Sequence, residues 1–202
     1  LNGEITGAYS FKTIVPSFMN TFKGYVPALI NVTQKEQKVQ ENNFSLLLSL
    51  ENTEALSQTL KLPFTVQTPG RITGHYNNIY NRFRIEAYLP KFKMGKSMFE
   101  SGYFTCENPE DKIKMELRAI NYNAKGLRNY LHLKADAKEN RLNTFIGWAN
   151  NKQRLFKADL SASTLFVEEE NEKGPATLRT EIAINSSPLI IADSLWNIAP
   201  AN

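Results

Sequence analysis

The sequence predicts a mainly β protein, an antiparallel meander with one short helix near the N-terminus. Two observations carry this. First, 131–167 reads as three strands separated by short polar turns. Leu131, Leu133, Ala135 and Ala137 share one face of the first run, Leu142, Thr144, Ile146 and Trp148 one face of the second, and Phe156, Ala158, Leu160 and Ala162 one face of the third. Side chains alternate across a strand, so apolarity of period two makes a ribbon greasy on one side and wet on the other. Second, the turns Lys138-Glu139-Asn140 and Asn150-Asn151-Lys152 are too short for anything but antiparallel neighbours.

The remaining elements follow the same logic in chain order. The stretch 3–9 reads as a strand, with Gly7 marking a bulge or a close approach. A helix is expected over 16–29. Pro16 suits a first helical turn, and Phe18, Phe22, Tyr25 and Leu29 fall at helical spacing, while Pro27 ends or kinks it. The polar stretch 33–43 reads as an exposed loop. Phe44, Leu46, Leu48 and Leu50 alternate along a well-buried strand, and Asn52 or Thr53 caps a short helix reaching Leu60. An extended piece, 62–66, precedes a hairpin of 71–76 and 82–89 around Asn77-Asn78. Strands 97–107 and 112–120 are joined by Asn108-Pro109-Glu110-Asp111, which suits a type I turn. After an acidic loop over 168–175 comes 177–184, and the chain ends with the segments 188–191 and 195–200. Lys134-Ala135-Asp136 recurs as Lys157-Ala158-Asp159 in the next hairpin, but no strict repeat runs through the chain.

The 202 residues suffice for one domain, and no linker divides them, so 1–202 reads as a single β-rich segment. The net charge of +4 comes from Lys and Arg interspersed with Asp and Glu, which argues against a nucleic-acid partner. No run of about 18 apolar residues spans a bilayer, and no signal segment is present. The chain opens on Leu1, so it is expected to be excised from a longer protein whose anchor lies outside it.

Chemistry is sparse. His75 and His132 lie on different predicted strands without Cys or carboxylate at metal-ligand spacing, so no metal site is expected. Cys106 is alone, which excludes an intrachain disulfide, and no local His or Lys activates it. There is no phosphate loop, no nucleophile elbow and no HExxH, and Glu168 to Glu170 read as a solvated turn. The expectation is a protein that is not an enzyme, with no catalytic residue and no cofactor.

Several segments resemble a known family. Leu60-Lys61-Leu62-Pro63-Phe64 leads into Ile72-Thr73-Gly74-His75-Tyr76. Ala87-Tyr88-Leu89-Pro90 and Phe92-Lys93-Met94-Gly95 follow, and the late segment runs from Ser187-Pro188-Leu189 to Leu195-Trp196-Asn197-Ile198. Together they look like the central part of Bacteroidetes translocation and assembly module B proteins, the TamB-like members of the AsmA-like group. The resemblance implies an elongated, curved, folded-over sheet, a β-taco, with an apolar trough inside. It implies a periplasmic location, with anchoring in the inner membrane through sequence outside the segment. The implied role is phospholipid transport between inner and outer membranes, or outer-membrane protein assembly. The implied partners are phospholipid acyl chains and, through the full-length chain, an outer-membrane β-barrel assembly protein.

If the meander curls around a channel, its lipid-groove candidates are Phe44, Leu46, Leu48, Leu50, Phe83, Ile85, Leu117, Leu142, Ile146, Trp148 and Leu160. A buried methylene gains about 0.8 kcal/mol, so an enclosed tail is held by many small, similar contributions. The alternative is a closed β-sandwich, a binding or adhesion module in which the same residues seal a core. Under either reading, open terminal strands are expected to make the segment self-associate.

Overall fold

Among the described residues, thirteen strands hydrogen-bond into one antiparallel sheet that is elongated and does not close into a barrel. The computed structural model describes residues 2–33, 40–59, 61, 64–122, 126–150, 155–171, 174 and 176–200. Three short helices accompany the sheet. The elements in order are β1 (Asn2–Ala8), α1 (Ile14–Lys23), α2 (Pro27–Thr33), β2 (Asn43–Leu50), α3 (Glu54–Thr59), β3 (Phe64–Val66), β4 (Gly70–Asn77), β5 (Arg82–Met94), β6 (Ser97–Glu107), β7 (Ile113–Tyr122), β8 (Arg128–Lys138), β9 (Arg141–Asn150), β10 (Lys157–Glu169), β11 (Thr177–Ile184), β12 (Ser187–Ile191) and β13 (Ser194–Ile198). The spatial order is β1-β2-β4-β5-β6-β7-β8-β9-β10-β12-β13, with β3 added beside β5 and β11 beside β10.

The register aligns the apolar positions into rows that run across the strands. One row reads Leu48, Ile72, Ala87, Phe104, Leu117, Leu133, Ile146 and Leu160, each directly opposite the next. A second, on the same face, ends with Leu131, Trp148, Ala158, Leu189 and Trp196. The opposite face carries Arg84, Glu86, Glu116, Arg118, Lys134 and Asp159. There Arg84 pairs with Glu86 and Glu107, and Lys157 with Asp159. Period-two patterning thus gives the whole sheet one greasy side.

The helix expected over 16–29 is two helices. The chain leaves α1 at Gly24, and Pro27 opens α2, where its missing N–H costs nothing. Phe18, Phe22 and Leu29 pack with Ile14, Tyr25, Val26 and Ile30 on the apolar face, against Phe44, Tyr76, Phe83, Cys106, Ile113 and Ala137. The pair therefore lies across the strands along one rim, reaching β10 and β11 at its far end.

Three asparagines on that rim hold it there. Asn42 Oδ1 accepts the Ser10 amide, and its Nδ2 donates to the Ser17 hydroxyl at 2.7 Å. Asn108 Nδ2 donates to Tyr25 Oη, and Asn140 Oδ1 accepts the Ala28 amide at 2.8 Å near the start of α2.

Two local expectations are corrected. Asn42 is fully buried, not part of an exposed loop, because it satisfies the backbone where the chain enters β2. The 108–111 turn is not type I. Glu110 has φ 59°, where that turn requires about −90°. Residues 34–39 of the expected loop, 62–63 of the extended piece, the 151–152 turn positions, and 172, 173 and 175 of the acidic loop lie outside the described residues. At β8–β9, Glu139 and Asn140 both take positive φ, the geometry that suits a two-residue hairpin.

Candidate functional site

The helix pair covers only the rows near the asparagine rim. Beyond it the apolar face opens into a cavity of about 410 Å³ lined wholly by apolar surface. Phe64, Ala87, Leu89, Phe92, Met94, Phe99, Gly102, Phe104, Leu117, Ala119 and Leu131 form its walls. These come from β3 and from β5 through β8. Four adjacent strands are three inter-strand steps, roughly 14 Å, across.

A β-bulge shapes this trough. Ser101 takes φ 52°, and the β6–β7 register shifts between Glu100 and Tyr103. Leu89 and Phe92, three positions apart, both reach the cavity. Phe92 stands opposite Phe99 and stacks on it at 5.2 Å. Gly102 makes room for this pair, since a Cβ there would lie 2.5 Å from Phe92 Cε1. Val66, opposite Phe92, is fully buried beneath α3, where Thr53 Oγ1 accepts its amide and Ser57 Oγ donates to Phe64 O.

The eleven groove candidates all lie on the apolar face, but not all in the trough. Phe44, Leu46, Phe83, Ile85 and Leu142 pack in the core beneath α1 and α2. Leu117 lines the cavity. Ile146 and Trp148 continue its rows as a shelf and are 46% and 37% exposed. Leu160 lies opposite Ile146 on that shelf, half-buried, while Leu48 is half-buried and Leu50 buried at the β2 end. Phe92, Phe99 and Phe104 were not among the candidates. The bulge breaks strict alternation, so period-two reading loses Phe92 and Phe99. Their signal was the aromatic spacing around the Gly95-Lys96 hairpin turn.

No titratable side chain lines the trough. On the polar face Glu116 receives hydrogen bonds from Arg118 and contacts His132 Nε2 at 2.5 Å. The Arg118 hydrogen bond, with help from His132, holds this carboxyl below its ordinary range. Cys106 lies in the helix-covered core, where burial and the Glu107 charge push the thiol up to about 11. Among the described residues no group of three or more His, Cys, Asp or Glu is placed to hold a metal ion. Nor is any helix there long and apolar enough to cross a membrane.

No protein-family model matches this chain, and comparison with curated proteins and with solved structures yields no match either.

Proposed function

We propose that this chain is a non-enzymatic, groove-bearing segment of a cell-envelope protein that holds phospholipid acyl chains. Its role is to support lipid transport between inner and outer membranes or outer-membrane protein assembly. The observation that carries the reading is the wholly apolar trough beside the helix pair, open along one side and continued by the Ile146–Trp148 shelf. A channel for hydrocarbon needs many similar apolar contacts and few polar hooks, and the lining offers no charged side chain. Sheathing roughly ten methylenes gains about 8 kcal/mol before ordering costs. The TamB-like sequence segments point the same way. A periplasmic setting, an anchor outside the segment and an outer-membrane β-barrel partner belong to this proposal.

A closed sandwich is the poorer reading, because α1 and α2 cover only part of the apolar face and Ile146 and Trp148 beyond them stay exposed. Native mass spectrometry of the purified chain, with photo-crosslinking residues at Leu117 and at Ile146, tests the proposal. Co-purified phospholipid and crosslinks to acyl chains are expected. A lipid-free spectrum with no adduct at either position would overturn it.

A further inference from the structure

The trough differs at its two ends. At the inner end Phe104 also packs against the helix-covered core, so the wall closes there. At the outer end Phe64 and Met94 stand opposite each other and are 37% and 48% exposed. A polar head on a chain seated here finds water at the outer end and apolar side chains at the inner one.

The outer end carries charge of one sign. β5 and β6 turn back there through Gly95-Lys96, in the middle of the sheet order. Lys93 precedes Met94, Lys96 sits in the turn, and Lys61 comes three positions before Phe64. At about 3.4 Å per residue, Lys96 is within roughly 7 Å of Met94 along the chain. Arg128, bonded to Tyr122 Oη at 3.0 Å, continues the same rim on β8. Among the described residues, no Asp or Glu stands at 61, 64–65, 92–99, 120–122 or 126–129. Thr65 and Met98, which pair with Lys93, are uncharged, and the next carboxylate along β6, Glu100, faces Lys91 further in. The asparagine rim is different, because Glu110, Asp111 and Glu139 stand there among Lys112 and Lys138. Cations gathered without carboxylates repel one another, and a bound anion relieves that repulsion.

We infer that the trough takes phospholipid with a net negative phosphate headgroup, its tail against Leu117 and Leu131 and its phosphate at the Lys93–Lys96 tip. This rests on the acyl-chain reading proposed above and adds the charge and orientation of the guest. A zwitterionic head brings its own ammonium to the same lysines and gains less from them.

Isothermal titration calorimetry with dioctanoyl phosphatidylglycerol and dioctanoyl phosphatidylcholine, each below its critical micelle concentration, tests this, because the two share their tails. The anionic lipid is expected to bind about tenfold tighter at low salt, each cation supplying a few-fold. High salt should shrink that preference. Lys93→Gln with Lys96→Gln should bring it towards parity, with the phosphatidylcholine affinity and the circular dichroism spectrum unchanged. Lys12→Gln with Lys112→Gln removes the same charge at the asparagine rim and should keep the preference. Equal affinity of the native chain for both lipids would overturn the inference and leave the acyl-chain reading standing. So would a preference that survives in the tip variant or disappears in the rim variant. Binding of neither lipid would remove both.

Discussion

The side-chain amide of Asn108, at the β6–β7 turn, donates to the phenolic oxygen of Tyr25 at 2.8 Å across 83 positions of sequence. The same side chain accepts the Phe83 amide at 2.7 Å and donates to the Asn81 carbonyl at 2.6 Å. One buried residue thus joins two sheet turns to the helix pair that covers part of the apolar face. Replacing Asn108 with Ala strands the Phe83 N–H and leaves the Tyr25 hydroxyl only its longer 3.4 Å bond from Asn81 Nδ2. Leaving a buried polar group unsatisfied costs about 1–3 kcal/mol. At this chain length each kcal/mol moves the melting point by roughly 2–4 °C. Thermal melts of Asn108→Ala should therefore show a fall of several degrees, while Tyr25→Phe, which leaves the Asn108 bonds to Phe83 and Asn81 in place, should fall less. Equal losses in the two variants would show that the Phe83 contact carries nothing.

Cys106 gives the helix-covered core a pH signature. Its thiol is raised to about 11 in the folded chain against an ordinary 9.0, mainly by burial. Above pH 9 the unfolded chain releases this proton and the folded chain keeps it. Stability is therefore intact below pH 9 and declines as pH rises towards 11, by on the order of 1–3 kcal/mol. Tyr76, also raised by burial, acts in the same direction above pH 10. Urea melts from pH 7 to 10.5 should show this slope, reduced in Cys106→Ala. Native-state thiol labelling at pH 8 should be slow, and faster in Asn108→Ala as the helix pair loosens. Rapid labelling of the native chain would contradict a sealed core at this position.

Gly7 and Gly95 separate two costs that sequence alone confounds. Both have positive φ, 117° and 59°. A Cβ on Gly7 would lie 2.3 Å from Asn43 O and 2.9 Å from Phe44 Cα, whereas one on Gly95 meets nothing within 4 Å. Gly95→Ala should cost about 1 kcal/mol, the backbone term alone. Gly7→Ala adds a clash with backbone that cannot yield without parting β1 from β2. Chemical denaturation should rank Gly7→Ala as clearly the less stable variant. The reverse order would mean that β1 contributes little to folding.

Much of this fold was legible because period-two alternation is a local signal. β6 begins and ends where the pattern puts it, at Ser97 and Glu107, and the 131–167 meander emerges as β8, β9 and β10. The aromatic spacing of Phe18, Phe22, Tyr25 and Leu29 also marked helices that pack on the sheet. What alternation does not reveal is which part of a greasy face another element will cover. Phe44 and Phe83 read like Leu117 in sequence. Only the reach of α1 and α2, fixed by Asn42, Asn108 and Asn140 from far along the chain, places the first two in a sealed core and the third in a trough. Bulges defeat alternation as well. The β6–β7 register shifts beside Ser101, whose φ is positive, and no local pattern announces a serine in that conformation.

The trough and the shelf make the final prediction optical. Trp148 stands directly opposite Leu131, a wall residue, and is 37% exposed, while Trp196 lies three strands further out at the sheet edge. A brominated acyl chain seated between Leu117, Ala119 and Leu131 should quench Trp148 emission on contact. Most of the quenching should vanish in Trp148→Phe and persist in Trp196→Phe. Leu117→Asn places an amide in a wall that offers it no partner, and a hydrocarbon guest must then desolvate that amide. A penalty of about 1.4 kcal/mol is tenfold in affinity, so the quenching titration should shift by roughly that factor. Gly102→Val should weaken binding by a different route, driving the Phe92 ring into the space the chain would occupy. Quenching that follows Trp196 instead, and ignores both wall substitutions, would place the hydrocarbon at the sheet edge and empty the trough of its role.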